Sequence, residues 1–362
     1  MQDAEFMEIA LGLAERGKGM TSPNPLVGAV VVKGGKVVGK GYHKRAGLPH
    51  AEAVALRDAG SRAKGATLYI NLEPCDHYGR TPPCTSGIIK AGIKMVVIGM
   101  MDPNPLVSGK GIKRLREAGV EVQTSLLRDR CKRLNEVYIK YITTRRPFVT
   151  LKMATTLDGR IATASGESKW ITGRTSRRYV HRMRGEVDAV MVGVGTVLKD
   201  DPLLTTRLVK GKNPHRVVVD KVLRIPLKAR VFNPSPGMRL FLATTIKASK
   251  TKVKRVMEMG AEVLVLRGED GGVYLDGLMV ELGKRGVTNL LIEGGARLAT
   301  SAMRSGIVDK VVLFYSPMFL GRDGIPIFNS MGIKGLKDTI KLKDVEVKRV
   351  GQDFLVEGYV VK

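Results

Sequence analysis

The chain has 362 residues, of which 43% are hydrophobic and 26% are charged. This composition supports a full hydrophobic core and excludes a disordered or low-complexity protein, and the length predicts two or three domains. The 61 Lys and Arg residues against 34 Asp and Glu give a net charge of +27, which suits phosphorylated ligands or nucleic acid. Because the charge is spread evenly and aromatic residues make up only 5%, the sequence gives little support for a surface that stacks single-stranded bases.

The sequence predicts a cytoplasmic protein. No apolar run approaches the roughly 18 to 20 residues that a membrane-spanning helix needs. The first fifteen residues carry four acidic side chains on an amphipathic pattern, unlike the basic and then apolar regions of a signal peptide. Three cysteines, Cys75, Cys84 and Cys131, are too few for a disulfide framework at this length and indicate a reducing compartment.

Helix and strand patterns alternate through the first part of the chain. Apolar residues at helical spacing predict a first helix over 6–13, and two β runs separated by Gly34-Gly35 predict a hairpin. Further helices are predicted after His50, after Cys84, from Gly111 and over 128–142, and strands at 67–72, 94–99 and 120–123. The alternation predicts α/β layers with a partly parallel sheet.

A basic segment that ends in proline, residues 143–147, predicts a boundary between domains 1–145 and 146–362. In the second domain, strands are predicted at 148–154, 189–193, 216–220, 240–243, 262–266, 289–293, 310–314 and 354–361. Helical patterns separate most of these strands. We therefore expect a second α/β domain with its own sheet.

One histidine and two cysteines, His50, Cys75 and Cys84, are suitable zinc ligands. Three ligands leave the fourth position to water, which makes zinc catalytic, and zinc brings the pKa of that water near about 7. Glu52 is the candidate to carry the proton, provided that His50 stands at the very start of a helix. Cys84 also precedes a helical stretch, whose N-terminal dipole favours a thiolate.

Other interpretations of these residues stay open. A closed structural zinc site would take His77, His43 or Cys131 as its fourth ligand. Alternatively, the cysteines are simply buried. Cys131 lies on a charged helical pattern and matches no motif, so it is assigned no role.

The pattern His50-x-Glu52, Pro-Cys75 and Pro-Cys84 resembles the signature of the cytidine-deaminase-like superfamily, although eight residues separate the cysteines instead of two. With segments 22–28 and 99–105, the segment 73–84 closely resembles the deaminase half of the bifunctional riboflavin-biosynthesis deaminase-reductase family. The resemblance implies that the longer loop belongs to a substrate pocket. It places in that pocket Asn24, His43, His77 and Arg80.

Two glycine-containing turns follow predicted strands in the second domain. After Gly193 and Gly195, Leu198 stands where a dinucleotide fingerprint needs glycine. At 293–296 the glycines open a helix, so backbone N–H groups there are able to approach a phosphate. In their order along the chain, segments resembling the reductase half of the same family are 146–154, 157–162, 166–172, 195–202 and 291–295.

The resemblance covers nearly the whole chain and implies a fold class. It implies an N-terminal cytidine-deaminase-like, three-layer α/β/α domain and a C-terminal dihydrofolate-reductase-like α/β domain, with zinc and NADPH as cofactors. By matching positions, NADPH would contact Ala154, Trp170, Thr196, Asp200, Gly295, Ala296, Arg297, Leu298, Ala299, Thr300 and Ser301. The ribosyl phosphate substrate would contact Ser168, Arg184, Leu204, Arg207 and Glu293.

The same resemblance places Lys152, Asp200 and Glu293 near the reacting sugar carbon. Each also has an ordinary explanation, as a strand lysine with a buried stem, a helix-terminal acid and a strand-end acid. The forked donors of Arg184 and Arg207 suit a phosphate. The single tryptophan, Trp170, is alternatively a plain core residue.

The resemblance implies two consecutive steps of riboflavin biosynthesis. The first is zinc-dependent hydrolytic deamination of 2,5-diamino-6-(5-phosphoribosylamino)pyrimidin-4-one. The second is NADPH-dependent reduction of the ribosyl group of 5-amino-6-(5-phosphoribosylamino)uracil to ribityl. We expect small phosphorylated pyrimidines as partners, a homodimer or homotetramer, and neither nucleic acid nor a membrane.

Two other classes of function remain. One is a zinc deaminase that acts on nucleotides or RNA and carries a C-terminal binding domain. The other is a non-catalytic binding protein that zinc stabilises.

Overall fold

A computed structural model describes residues 2–78, 82–233, 235–269 and 271–361. The chain forms two compact units, Met1–Arg145 and Arg146–Lys362, and each has its own sheet and hydrophobic core. Over these described ranges, none of the helices combines the length and the apolar character that crossing a membrane requires.

The first unit is built on a mixed sheet. Its described helices are α1 (Asp3–Glu15), α2 (Ala51–Ala59), α3 (Cys84–Lys90), α4 (Lys110–Glu117), α5 (Arg128–Leu134) and α6 (Glu136–Thr144). Its described strands are β1 (Gly28–Lys33), β2 (Lys36–Tyr42), β3 (Thr67–Leu72), β4 (Met95–Met100) and β5 (Glu121–Thr124). The strand order is β2-β1-β3-β4-β5, in which β1 is antiparallel to β2 and β3, and β3, β4 and β5 are parallel.

The predicted hairpin and the burial of the central strands explain this layering. Gly34 and Gly35 have φ values of 57° and 70°, a left-handed turn that glycine adopts without strain. Strands β1, β3 and β4 are buried along almost their whole length, so both faces of the sheet are covered. At Gly28, an added Cβ would lie 2.0 Å from the Ala10 carbonyl oxygen, because α1 packs directly on β1.

One predicted helix is two helices in the structure. The segment predicted as helix over 128–142 is interrupted at Asn135, whose φ and ψ are −104° and 18°. The side chain of Asn135 is buried and bonds Leu26, with Oδ1 accepting from the backbone N–H at 2.8 Å and Nδ2 donating to the carbonyl oxygen at 3.0 Å. This tertiary contact interrupts the helix at Asn135. Local sequence periodicity does not reveal such a contact.

The second unit contains a larger sheet. Its described helices are α7 (Arg174–Glu186), α8 (Val194–Asp200), α9 (Lys250–Glu258), α10 (Leu275–Lys284) and α11 (Ala296–Arg304). Its described strands are β6 (Phe148–Thr156), β7 (Arg160–Thr163), β8 (Ala189–Gly193), β9 (His215–Val219), β10 (Leu240–Thr245), β11 (Ala261–Leu266), β12 (Gly268–Glu269), β13 (Gly272–Val273), β14 (Asn289–Glu293), β15 (Lys310–Ser316), β16 (Gly324–Pro326), β17 (Leu342–Val350) and β18 (Asp353–Val360).

The main sheet of this unit runs β11-β10-β9-β8-β14-β6-β15-β18-β17. The first seven strands in this sheet order, from β11 through β15, are parallel to one another. The last two, β18 and β17, are antiparallel to their neighbours. Glu293, the last residue of β14, pairs in register with Lys152 of β6. The carboxyl ends of parallel strands lie at one sheet edge, where a ligand site is expected.

Strand β17 has no counterpart among the predicted strands. It reads Leu-Lys-Asp-Val-Glu-Val-Lys-Arg-Val and is exposed over most of its length at the sheet edge. A register shift between Lys343 and Glu346 interrupts its pairing with β18 and breaks the alternation that marks a half-buried strand.

Candidate functional sites

Three potential metal ligands converge at the ends of secondary-structure elements in the first unit. His50 is the N-cap of α2, with φ −70° and ψ 163°, Cys84 is the first residue of α3, and Cys75 follows β3. His50 Nδ1 lies 3.2 Å from Cys84 Sγ and 3.6 Å from Cys75 Sγ. All three ligand atoms lie within 4.8 Å of one another, so one ion would reach them all.

Glu52 lies beside this triad in the first turn of α2 and is only 4% exposed. The predicted condition, a histidine at the very start of the helix, is therefore met. Burial, followed by the nearby Cys75, raises the pKa of Glu52. The carboxyl group is shielded from water and adjacent to the ligands.

The donor set fits zinc. The hydrogen bond from the Cys84 thiol lowers the pKa of Cys75 against the effect of burial, and His50 contributes in the same direction. The same bond raises the pKa of Cys84, because one thiol holds the proton that the pair shares. One imidazole and two thiols form a soft ligand set that zinc takes, and a bound cation favours the thiolate form.

The proposed fourth ligands do not complete a closed site. His43 Nε2 faces Asn24 Nδ2 at 3.1 Å, and His43 Nδ1 faces the Pro49 carbonyl oxygen at 3.2 Å. Both ring nitrogens are thus engaged, and the ring meets that of His50 edge-on, with centroids 5.4 Å apart. Within the described residues, the ligand group around His50 holds three members, which leaves a position for water.

The remaining predicted members of the first site lie elsewhere. His77 is exposed and does not join the ligand group. Arg80 lies outside the described residues. Cys131 is fully buried in the core, where an added Cβ on Gly99 would lie 2.3 Å from its Sγ, so its role is packing.

Glu73 is a supporting residue that the sequence analysis missed. It is 3% exposed, and its carboxylate accepts backbone N–H bonds from Asp102, Gly109 and Ile112 at 3.2, 3.1 and 3.3 Å. These bonds hold the start of α4 against the turn that carries Cys75. The available signal was an acidic residue at the end of a buried strand, directly before the Pro-Cys pair.

The second unit contains a cavity of about 1970 Å³ at the carboxyl ends of β6, β8, β9 and β14. Fifteen of the seventeen residues predicted for the reductase site line it among the described residues. They are Lys152, Ala154, Ser168, Trp170, Arg184, Thr196, Asp200, Leu204, Arg207, Glu293, Gly295, Ala296, Arg297, Leu298 and Ser301.

Ala299 and Thr300 are the exceptions, because neither lines the cavity. Ala299 is fully buried in the core of the unit. Thr300 Oγ1 donates to the Ala296 carbonyl oxygen at 2.7 Å and accepts from the Asn329 N–H at 2.8 Å. Because a helix turns about 100° per residue, a continuous stretch of α11 does not face one cavity.

A buried charge network forms the floor of the cavity. Arg184 Nε and Nη2 donate to the two Glu293 carboxylate oxygens at 2.6 and 3.0 Å, and Lys152 Nζ lies 3.9 Å from Glu293 Oε2. Burial acts to raise the pKa of Glu293, but Arg184 and then Lys152 outweigh it and lower that pKa. Burial lowers the pKa of Lys152, and Glu293 opposes that change.

This network holds Arg184 at the cavity wall. Two of its donors bond Glu293 and Nη1 bonds the Thr205 carbonyl oxygen at 3.2 Å, so two of its five N–H groups stay available for the predicted contact with a phosphate. Arg207 remains a candidate for the phosphate, since its side chain is exposed at the cavity and makes one bond, from Nη1 to Thr205 Oγ1 at 3.3 Å.

Trp170 stands at the cavity edge and not in the core. It is 69% exposed, and the guanidinium carbon of Arg177 lies 4.1 Å from its ring centroid. Its interpretation as a plain core residue is therefore wrong. A cation over an exposed indole holds the ring in place without burying it.

The cavity fits a polyanionic cofactor. Among the described lining residues, twelve are Lys or Arg and six are Asp or Glu. The N-terminus of α11 opens at Gly295, where an added Cβ would find nothing within 4 Å. Backbone N–H groups there are open to a phosphate.

Comparisons with known proteins agree with both sites. Residues 1–100 match the cytidine and deoxycytidylate deaminase zinc-binding region, and residues 147–356 match the RibD C-terminal domain. Riboflavin biosynthesis protein RibD of Aquifex aeolicus is 46% identical over 98% of this chain and 97% of that relative.

Two solved structures match the whole chain. Acinetobacter baumannii RibD, form 1, superposes with a TM-score of 0.89 and 37% identity, covering 99% of each chain. A diaminohydroxyphosphoribosylaminopyrimidine deaminase/5-amino-6-(5-phosphoribosylamino)uracil reductase from Thermotoga maritima superposes with a TM-score of 0.86 and 40% identity, covering 99% of this chain and 98% of that one.

Fold and sites together define a two-unit enzyme, a cytidine-deaminase-like α/β/α unit followed by a dihydrofolate-reductase-like α/β unit, which confirms the expected fold class. Its activities are those of a deaminase and a reductase, with zinc and NADPH as cofactors. The chain belongs to the family of the riboflavin biosynthesis protein RibD.

Proposed function

We propose that the first unit hydrolytically deaminates 2,5-diamino-6-(5-phosphoribosylamino)pyrimidin-4-one and that the second reduces the ribosyl group of 5-amino-6-(5-phosphoribosylamino)uracil. The observation that carries the proposal is the convergence of His50, Cys75 and Cys84 beside the buried Glu52. The charge network in the cavity of the second unit supports the proposed reductase activity. The deaminase and reductase activities of the Thermotoga relative support the choice of substrates.

In the deaminase site, each residue has a distinct task. His50, Cys75 and Cys84 would hold zinc, which would act as a Lewis acid and lower the pKa of water at this site. Glu52 takes the proton released from that water on a carboxylate oxygen and passes it to the departing amine, so ammonia leaves. Asn24 binds the pyrimidine through its amide, which His43 orients from a distance of 3.1 Å.

In the reductase site, the chain orients the sugar and manages a proton. NADPH, when bound, supplies the hydride that reduces the sugar carbon C1. Arg184 holds the Glu293 carboxylate through two hydrogen bonds, and Glu293 in turn faces Lys152. Lys152 donates a proton from Nζ to the sugar oxygen that is released as the ring opens, because burial makes its ammonium group a stronger acid. Asp200 and Ser168 contact the ligands at the cavity wall.

The finer expectations on partners and location belong to the same proposal. A cavity for phosphorylated small molecules gives the positive charge a use that does not require nucleic acid. The exposed edge strand β17 carries Val345 and Val347 at 51% and 66% exposure, which suits pairing with a second copy in a homo-oligomer. The protein would act in the cytoplasm.

The test of the deaminase assignment is Glu52→Gln, with Glu15→Gln on the exposed part of α1 as the matched control. Glu52→Gln should keep its zinc and lose ammonia release by about 100-fold or more, while its NADPH oxidation with the deaminated substrate stays at the wild-type rate. Glu15→Gln should keep both activities. Equal, measurable ammonia release by Glu52→Gln and wild type would refute the assignment of Glu52 as the proton carrier, whereas no ammonia release from either protein would favour a zinc-stabilised binding protein.

A further inference from the structure

His181 is a buried histidine in the cavity of the second unit, and the proposed mechanism does not use it. It lies on α7, one turn before Arg184, is 7% exposed and lines the cavity. Residues three apart on a helix share a face. His181 therefore faces the same region as the Arg184–Glu293 pair.

One hydrogen bond fixes the protonation state of this ring. The backbone N–H of Arg207 donates to His181 Nδ1 at 2.9 Å. Because a backbone N–H only donates, Nδ1 must carry a lone pair, and the proton of the neutral ring resides on Nε2. A doubly protonated ring would lose this bond.

The charged groups around His181 reinforce the neutral state. Burial, followed by Arg184 on the same helix and Arg207 on the adjoining loop, lowers the pKa of His181 to about 4. Glu293 on β14 opposes this change, and Lys152 on β6 adds to it. At neutral pH the ring is therefore uncharged. It is a hydrogen-bond donor that lies among charged side chains.

Among the described residues, the bond to Nδ1 is the one hydrogen bond of the His181 ring, so Nε2 has no acceptor within the protein. A donor at a cavity wall costs free energy unless an acceptor reaches it, and here a bound molecule is able to supply one. Arg207, bonded to the other side of the ring, offers a positive charge for a phosphate. A neutral donor in the same cavity as Arg207 and Lys152 suits an uncharged oxygen.

We propose that His181 is a substrate-binding residue of the reductase cavity, whose Nε2–H donates a hydrogen bond to an uncharged oxygen of the sugar chain in the phosphorylated substrate. This inference rests on the proposed reductase function. It gives the site a contact that selects a hydroxylated chain between the reacting carbon and the phosphate.

Two amide variants separate this role from a structural one. In His181→Asn, the amide oxygen takes the place of Nδ1 and still accepts from Arg207, but the donor position is empty. In His181→Gln, the amide nitrogen reaches the place of Nε2, but the acceptor for Arg207 is lost. The first variant removes the substrate contact and the second removes the structural contact.

The experiment measures KM for 5-amino-6-(5-phosphoribosylamino)uracil by NADPH oxidation, NADPH affinity by Trp170 fluorescence, and the melting temperature of the full chain. We expect His181→Asn to raise KM about 3- to 10-fold, with NADPH affinity and melting temperature unchanged. His181→Gln should keep a KM near that of wild type and melt at a lower temperature.

The opposite pattern, a normal KM in His181→Asn and a raised KM in His181→Gln, would overturn the inference, as would two variants with wild-type KM. Failure of the proposed function is distinguishable, because wild-type protein would then not oxidise NADPH with this substrate at all. Wild-type turnover together with an unaffected His181→Asn variant overturns only the role of His181.

Discussion

Removal of Arg184 tests the buried charge network of the second unit. The side chains of Arg184 and Glu293 are 13% and 11% exposed, and the two donors lie 2.6 and 3.0 Å from the carboxylate oxygens. In Arg184→Met, Glu293 stays buried and keeps only Lys152, whose Nζ lies 3.9 Å away. Removing one partner of a buried pair costs about 3–5 kcal/mol in the free energy of unfolding. Because Lys152 remains, we expect a cost at the lower end of this range, about 3 kcal/mol in the free energy of unfolding.

For a unit of this size, that loss corresponds to a fall of about 6–12 °C in melting temperature. Differential scanning calorimetry of the full chain measures it, and the transition of the second unit is the one that NADPH raises. Arg184→Met combined with Glu293→Gln should lose less than the sum of the two single losses, because the second substitution removes the unpaired charge.

The matched control is Arg239→Met in the same unit. Arg239 pairs with Glu262 at 2.5 Å, but the two side chains are 44% and 36% exposed, and Glu262 also bonds Arg285. This substitution should cost less than about 1 kcal/mol. A cost for Arg184→Met as small as that of Arg239→Met would refute the claim that a desolvated network fixes Glu293.

Three more predictions concern the zinc site and His181. Gly111→Ala should lower the zinc content of purified protein, measured by atomic absorption, because its Cβ would lie 2.1 Å from the Pro74 carbonyl oxygen, whereas Gly12→Ala, with no atom within 4 Å, should keep full zinc. Removal of zinc by a chelator should abolish ammonia release and leave NADPH oxidation with 5-amino-6-(5-phosphoribosylamino)uracil intact, and loss of both activities would contradict separate sites. The third prediction concerns pH. The folded-state pKa of His181, about 4, lies below its ordinary value of 6.5. As pH falls from 6.5 towards 4, the unfolded chain binds the proton first. The free energy of unfolding of wild type should therefore fall by up to about 3 kcal/mol relative to that of His181→Asn. Parallel curves of unfolding free energy against pH, measured by urea titration, would refute this.

The features that the sequence predicts well depend on local signals. Gly34-Gly35 marks its hairpin through the backbone freedom of glycine, and Pro49 before His50 agrees with the observed helix start. The ligand triad is predicted from side-chain chemistry, and its three ligand atoms lie within 4.8 Å of one another. The confirmed fold class follows from alternating periodicity together with the family resemblance.

The features that the sequence does not predict depend on contacts between distant segments. Asn135 ends a helix because it bonds Leu26, 109 residues earlier. Arg184 bonds Glu293, also 109 residues away, and the sequence does not predict this pairing. Edge strand β17 lacks a buried face, which removes the alternation that would reveal it.

The most direct test of the central claim is a two-stage assay on purified, zinc-loaded protein with 2,5-diamino-6-(5-phosphoribosylamino)pyrimidin-4-one. Ammonia release is measured first without NADPH, and NADPH oxidation is measured after the cofactor is added. The account predicts ammonia in the first stage and oxidation in the second, with no oxidation in zinc-free protein given the same diamino substrate. Absence of ammonia release from zinc-loaded protein, or NADPH oxidation that does not depend on prior deamination, would contradict it.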